Sequence, residues 1–217
     1  MDDQTALLAG ASGLVGGHLL DLLLSSDNVA RVVSLGRRPL DRASAKLDQR
    51  AVDFARLDEV ELPRVDVAFC CLGTTIKKAG SQEAFRAVDH DAVLAFAKRA
   101  KAAGARHFLV VTALGADPSS RVFYNRVKGE AEAALRALGF ESLTILQPSL
   151  LLGDRAESRP GERVAIVLSR AFAPLLRPLG SRPIEALTVA RAMAALARAP
   201  RAGVRVVPSS ELQALGA

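Results

Sequence analysis

Residues 10–16 read Gly-Ala-Ser-Gly-Leu-Val-Gly, set between a short apolar run at 5–9 (TALLA) and an apolar stretch at 14–24. A glycine triplet alone is a weak signal. At the junction of a first strand and a first helix it is a strong one, because that context builds a phosphate-binding turn. Gly10 permits the tight turn, Gly13 lets the backbone approach a pyrophosphate, and Gly16 allows close helix–strand packing. The amides and dipole at the helix N-terminus then favour the phosphates. Gly10, Ser12, Gly13, Leu14, Val15 and Gly16 are the first candidate cofactor-contacting residues.

The rest of the chain repeats the strand–helix alternation. Apolar runs at 31–35, 65–72, 107–112 and 142–147 predict strands, with a shorter one at 51–54 (AVDF). The nearly continuous run 65–72 (VDVAFCCL) is that of a strand buried on both faces of a parallel sheet. Residues 39–50 are polar and predict at most an irregular helix. Residues 82–103 predict a long helix with an apolar stripe of Phe85, Val88, Ala92 and Phe96, stopped at Gly104. A second helix is expected over 121–138, before Gly139. Beyond 150 the pattern loosens. A loop at 153–161, a helix at 162–172, prolines at 174, 178 and 183, a helix at 185–198, a strand at 204–207 and a terminal helical turn are expected.

This alternation makes the fold class α/β, a doubly wound parallel sheet of the Rossmann type. The 217 residues suffice for one such domain and not for two. Residues 1–217 are expected to form a single NAD(P)-binding Rossmann domain. Within it, 150–217 would contribute a small C-terminal cap on the substrate side, at the sheet's carboxyl edge.

The net charge of +6 is scattered, and aromatics make up only 4% of the chain, so no nucleic-acid partner is expected. The two cysteines, Cys70 and Cys71, are adjacent. In a strand their side chains point to opposite faces, which disfavours a disulfide between them and suits a reducing compartment. The start MDDQ lacks signal-peptide features, and no apolar run is long enough for a transmembrane helix. A cytoplasmic location is the expectation. His18, His90 and His107 lack metal-ligand spacing, so no metal is expected and they are read as surface or interface residues. Arg163, Arg170 and Arg177 recur every seven residues among apolar ones. That is compatible with a basic amphipathic surface and, more simply, with a cap helix.

The strand at 31–35 runs into Gly36-Arg37-Arg38, where an NAD-preferring site carries an acid for the ribose 2′-hydroxyl. Two guanidinium groups there suit an adenosine 2′-phosphate instead. The expected cofactor is therefore NADP (NADPH), held by Arg37 and Arg38. Asp53 and Phe54, after the third predicted strand, would border the adenine. Leu72, Gly73 and Thr74 end the fourth, at the edge where open α/β sheets hold ligands. Pro148, which stops the sixth strand, joins the cofactor-binding set.

Tyr124 is the chain's one tyrosine, and Lys128 stands four residues later in YNRVK. That spacing puts both on one helix face. A neighbouring ammonium lowers a phenol's pKa, which would let Tyr124 exchange a proton with a carbonyl or alcohol near neutral pH. Thr112, ending the fifth predicted strand, is the candidate to hydrogen-bond a substrate oxygen. A β-branched residue that merely suits a strand end is the equal alternative.

With these residues in view, the chain resembles the atypical short-chain dehydrogenase/reductases, and within them the Tat-interacting-protein (metastasis-suppressor oxidoreductase) type. The resemblance runs from about residue 5 to 178 and is carried by GASG (10–13), GRR (36–38), FCCLGTT (69–75), KAG (78–80), KGE (128–130) and DRAESRPGE (154–162). It implies an NADPH-binding Rossmann domain with a small cap. It also implies Tyr124 as general acid/base, Lys128 as the residue that holds the nicotinamide ribose and tunes the tyrosine, and Thr112 at the serine position. The asparagine that the wider superfamily carries on the helix after the fourth strand is replaced here, where Asp89 and His90 stand. The leading expectation is an NADPH-dependent oxidoreductase reducing a carbonyl substrate. The alternative is an NADPH-binding regulatory or redox-sensing module acting through a protein partner. A homodimer fits either. A sugar-nucleotide epimerase is disfavoured, since the C-terminal third leaves little room for a large substrate.

Overall fold

The computed structural model describes residues 4–153 and 182–217. Seven strands form one sheet: β1 (Gln4–Ala9), β2 (Val29–Gly36), β3 (Leu47–Ala51), β4 (Val67–Cys70), β5 (His107–Val111), β6 (Ser142–Gln147) and, near the C-terminus, β9 (Gly203–Pro208). Their order is β3-β2-β1-β4-β5-β6-β9, and every pairing is parallel. A two-residue ladder pairs β7 (Leu151–Leu152) with β8 (Ile184–Glu185).

Strand period dictates the layering. In β1, Ala6 and Leu8 point into one core, which holds α1 (Leu14–Leu24) and α6 (Ala186–Arg198). Leu7 and Ala9 point into the other, with α4 (Val93–Ala102) and α5 (Phe123–Ala137). Alternate residues thus face opposite helical layers, which is why the central strands are largely apolar on both faces. The adjacent cysteines follow the same rule: Cys70 lies in the second core and Cys71 packs against the first. Both are free thiols.

The structure shifts several sequence expectations. The third strand is 47–51 rather than 51–54. It is an edge strand with a polar composition (LDQRA), which hid it in the stretch expected to be irregular helix. Residues Phe54–Glu59 turn as 3₁₀ helix instead. The long helix is three segments in one run, α3 (Gln82–Arg86), a π turn (Ala87–Ala92) and α4; α2 (Ile76–Ala79) precedes it. A π turn adds a residue to the helical repeat, so the buried stripe reads Phe85, Asp89, Val93 and Phe96. Val88 and Ala92, expected inside, are only partly buried.

Part of the stretch 150–217, expected to contribute a cap, is described. Residues 186–198 form α6 against α1, 203–208 add the seventh strand beside β6, and α7 (Ser209–Leu215) closes the chain. These complete the Rossmann layers. The helix expected at 162–172, the motif DRAESRPGE and Arg163, Arg170 and Arg177 lie outside the described residues.

Candidate functional site

The chain's strand order reverses between β1 and β4, the switch point at which open parallel sheets bind ligands beyond their carboxyl ends. Gly10 closes β1 with φ +89°, a conformation that favours glycine. A Cβ there would overlap the Cys71 carbonyl, so the turn lies directly on the chain leaving β4. A Cβ on Gly16 would overlap the Gly10 carbonyl, which seats α1 against the same turn. Gly13 is the N-cap of α1. No side chain caps this helix and its first turn holds no acidic residue. Its first amides, beside exposed Ser12, half-buried Leu14 and buried Val15, form a cradle that suits an anionic phosphate.

Arg37 and Arg38 follow the end of β2, both exposed. Neither enters an ion pair among the described residues. The Asp53 carboxylate accepts the Ala55 N–H at 2.9 Å and so caps the 3₁₀ turn. Phe54 packs on the second core. Pro148 is buried at the end of β6, its carbonyl accepting the Leu114 N–H at 2.9 Å.

The strongest electrostatic feature lies between β4, the π turn and α5. Lys128 Nζ is 2.7 Å from Asp89 Oδ1, with the side chains only 5% and 1% exposed. Asp89 Oδ2 accepts the Thr74 N–H at 2.9 Å. Gly73 sits against the pair: a Cβ would lie 3.5 Å from Asp89 Oδ1 and 3.8 Å from Lys128 Nζ. Burial opposes the lysine's charge, but the Asp89 carboxylate and then the Tyr124 phenol outweigh it and hold the ammonium above its ordinary range. Near the pair, burial pushes the Cys70 thiol up to about 12, which leaves it unreactive.

Tyr124 stands one turn before Lys128 on α5. Its ring centroid is 5.4 Å from that of Phe85, which also packs on Phe123 at 5.9 Å. The expectation that Lys128 brings the phenol below its ordinary value is corrected. Burial pushes it up, Lys128 pulls it down, Asp89 pushes it up again, and the net direction is upward. Burial is the largest of these effects, and Asp89 opposes part of the ammonium's pull.

Thr112, at the end of β5, is buried. Its hydroxyl lies 2.7 Å from Glu132 Oε1 and 3.2 Å from the Leu146 carbonyl. Glu132, two turns after Tyr124, also accepts the Gln147 side-chain amide at 2.9 and 3.1 Å. The structure therefore brings Tyr124, Lys128, Gly73 and Thr74 together, and turns Thr112 toward α5. Asp89 and Glu132 were not recognised from sequence as parts of this cluster. The signal for Asp89 was a charge four residues from Phe85 and four from Val93 on a buried face. For Glu132 it was an acid four residues after Lys128.

These features define a dinucleotide-binding Rossmann domain. The chain belongs to the NAD(P)H-binding family, whose model matches residues 10–200. It is 44% identical to Protein HTATIP2 of Rattus norvegicus over 170 residues, 76% of this chain and 70% of that one. Against Protein FMP52, mitochondrial, of Eremothecium gossypii the identity is 34% over 217 residues, 98% and 97% of the two chains. Among solved structures, MoeE5 in complex with UDP-glucose and NAD superposes with a TM-score of 0.70 at 20% identity, over 94% of this chain and 75% of that one. A UDP-glucose 4-epimerase of Thermotoga maritima with UDP-glucose gives 0.70 at 17%, over 94% and 76%. At such identities these two share the fold alone.

The expected cytoplasmic location is overturned. Several relatives, from Emericella nidulans, Coccidioides immitis, Aspergillus niger and Eremothecium gossypii, are named mitochondrial, which points away from a purely cytoplasmic place. No helix among the described residues is long and apolar enough to cross a membrane.

Proposed function

We propose that the protein is an NADPH-dependent oxidoreductase that reduces a carbonyl group on a small molecule, with Tyr124 as the proton donor. The observation that carries this reading is the buried Lys128–Asp89 pair at 2.7 Å, one helical turn from Tyr124 and against Gly73 at the carboxyl edge of β4. A buried charge pair costs desolvation energy, and a functional site is a common reason to keep one.

Gly10, Ser12, Gly13, Leu14, Val15 and Gly16 would cradle the pyrophosphate, and Arg37 and Arg38 the 2′-phosphate. Asp53 and Phe54 would flank the adenine, while Leu72, Gly73, Thr74 and Pro148 line the nicotinamide side. Bound NADPH supplies a hydride to the carbonyl carbon. Lys128 holds the ribose, and Tyr124 gives its Oη proton to the carbonyl oxygen, leaving an alcohol and a phenolate that solvent reprotonates. A phenol held above its ordinary value stays protonated at neutral pH, which is the form reduction requires. We read the chain as one domain. Within it, residues 150–217 would contribute a small cap on the substrate side. A homodimer is part of this proposal.

The test is an NADPH-consumption screen against aldehydes, ketones and quinones, with Tyr124→Phe beside the parent. Consumption by the parent that Tyr124→Phe reduces supports the reading. One observation favours a second reading, a cofactor-binding regulatory module: the Thr112 hydroxyl is engaged by Glu132, so the site has no second hydroxyl at that strand end to hold a substrate oxygen. A parent without turnover on all three classes that still binds NADPH would favour the module.

A further inference from the structure

Asp89 links three parts of the molecule. It stands in the π turn of the long helix, pairs with Lys128 on α5 through one oxygen, and accepts the Thr74 amide after β4 through the other. Gly73 places no side chain between the acid and the ammonium. An ammonium beside a phenol favours the phenolate. A carboxylate 2.7 Å from that ammonium opposes the pull.

Several charged groups stand on the elements packed around Tyr124. The long helix carries Glu83, Arg86, Asp89, His90, Asp91, Lys98, Arg99 and Lys101, α5 carries Arg126, Lys128, Glu130, Glu132 and Arg136, the loop before α5 carries Asp117 and Arg121, and β4 ends in the Cys70 thiol. Arg86 pairs with Glu130 and His90 with Asp91. Arg126 donates to the Ser120 carbonyl, and Asp117 accepts from Ser119. The Lys128 charge pulls the phenol's value down and the Asp89 charge pushes it up.

We propose that Asp89 is a positioning residue that holds Lys128 as half of a neutral pair, anchored on the Thr74 amide, so that the site presents Tyr124 as a proton donor and favours carbonyl reduction. The inference rests on the reductase reading. It assigns Asp89 a charge-balancing role that an asparagine would not supply.

The chain has one tyrosine and no tryptophan. Phenolate absorbance, read within seconds of alkaline pH jumps, therefore reports Tyr124 alone, with no cofactor or substrate present. The parent midpoint is expected above the ordinary value of 10.0. Asp89→Asn keeps an oxygen for the Thr74 amide and removes the charge, and should lower the midpoint by about one unit. An unchanged midpoint in a folded Asp89→Asn protein overturns the proposal and leaves Asp89 a structural residue. Should that variant not fold, the double variant Asp89→Asn, Lys128→Met decides: a midpoint close to the parent's supports a balanced pair, and one well above it, the mark of an unopposed ammonium lost, overturns the proposal. None of these readings uses turnover, so their failure is distinct from a failure of the Tyr124→Phe test.

Discussion

The Thr112 hydroxyl lies 2.7 Å from Glu132 Oε1, and Gln147 donates to the same carboxylate. The ends of β5 and β6 are thereby tied to α5, the helix that carries Tyr124 and Lys128. Thr112→Val should lower the unfolding free energy by about 1.5–3 kcal/mol, the scale of a lost hydrogen bond to a charged group. Glu132→Ala should cost more, because it also strands the Gln147 amide. Urea unfolding of the three proteins gives both values. A Thr112→Val protein with parental stability and abolished turnover would put the hydroxyl on the substrate instead.

The glycines of the nucleotide turn should separate folding from binding. A Cβ at Gly13 would meet the Gly10 carbonyl at 3.2 Å and the Cys71 carbonyl at 4.0 Å, close but tolerable by small shifts. Gly13→Ala should fold and lose most of the thermal stabilisation that NADPH gives the parent. Gly16→Ala meets backbone directly and should lose about 2 kcal/mol of stability without cofactor. Thermal scans with and without NADPH decide it. A Gly13→Ala protein with the parent's full melting shift would contradict the phosphate placement.

Arg37 and Arg38 are exposed at the end of β2 with no carboxylate partner among the described residues. The parent should bind NADPH more tightly than NADH by about 10-fold or more, as one charge-assisted phosphate contact supplies about 1.4 kcal/mol. The double variant Arg37→Ala, Arg38→Ala should bind the two alike. Calorimetric titration measures both, and equal affinities in the parent would remove the basis for an NADP preference.

His107, at the opposite end of β5 from the site, is buried with its Nε2 3.1 Å from Thr144 Oγ1. This corrects its reading as a surface or interface residue: it is buried inside the fold, where β5 pairs with β6. Burial lowers its pKa from 6.5 to about 4, so the unfolded chain takes up this proton before the folded one does. Its contribution is fully present above pH 6.5 and is lost as pH falls toward 4, by on the order of 3 kcal/mol. His107→Leu should flatten the stability profile between pH 6.5 and 5, relative to the parent. Parallel profiles in chemical denaturation would show that His107 does not titrate this way.

The fold was legible wherever one element's chemistry decided it. Apolar runs marked the central strands because helices cover both sides of the sheet, and the glycines marked the first turn because backbone crowds Gly10 and Gly16. The polar edge strand Leu47–Ala51 was hidden because only one neighbour pairs with it. The strand at 203–208 was found, but not its place, since pairing with β6 is a non-local choice. The site was half legible: Tyr124 and Lys128 announce themselves by spacing along one helix. Asp89 does not, because its pairing depends on a π turn that rotates it inward and on the packing of two helices far apart in sequence.

Tyr124→Phe, assayed for NADPH binding and for turnover in one preparation, tests the reductase reading most directly. The ring and its packing on Phe85 are kept while the transferable proton is removed. Cofactor affinity should stay within about twofold of the parent, and turnover on the carbonyl found by the screen should fall by roughly 100-fold or more. Turnover that survives the substitution would contradict Tyr124 as the proton donor while leaving the nucleotide site in place.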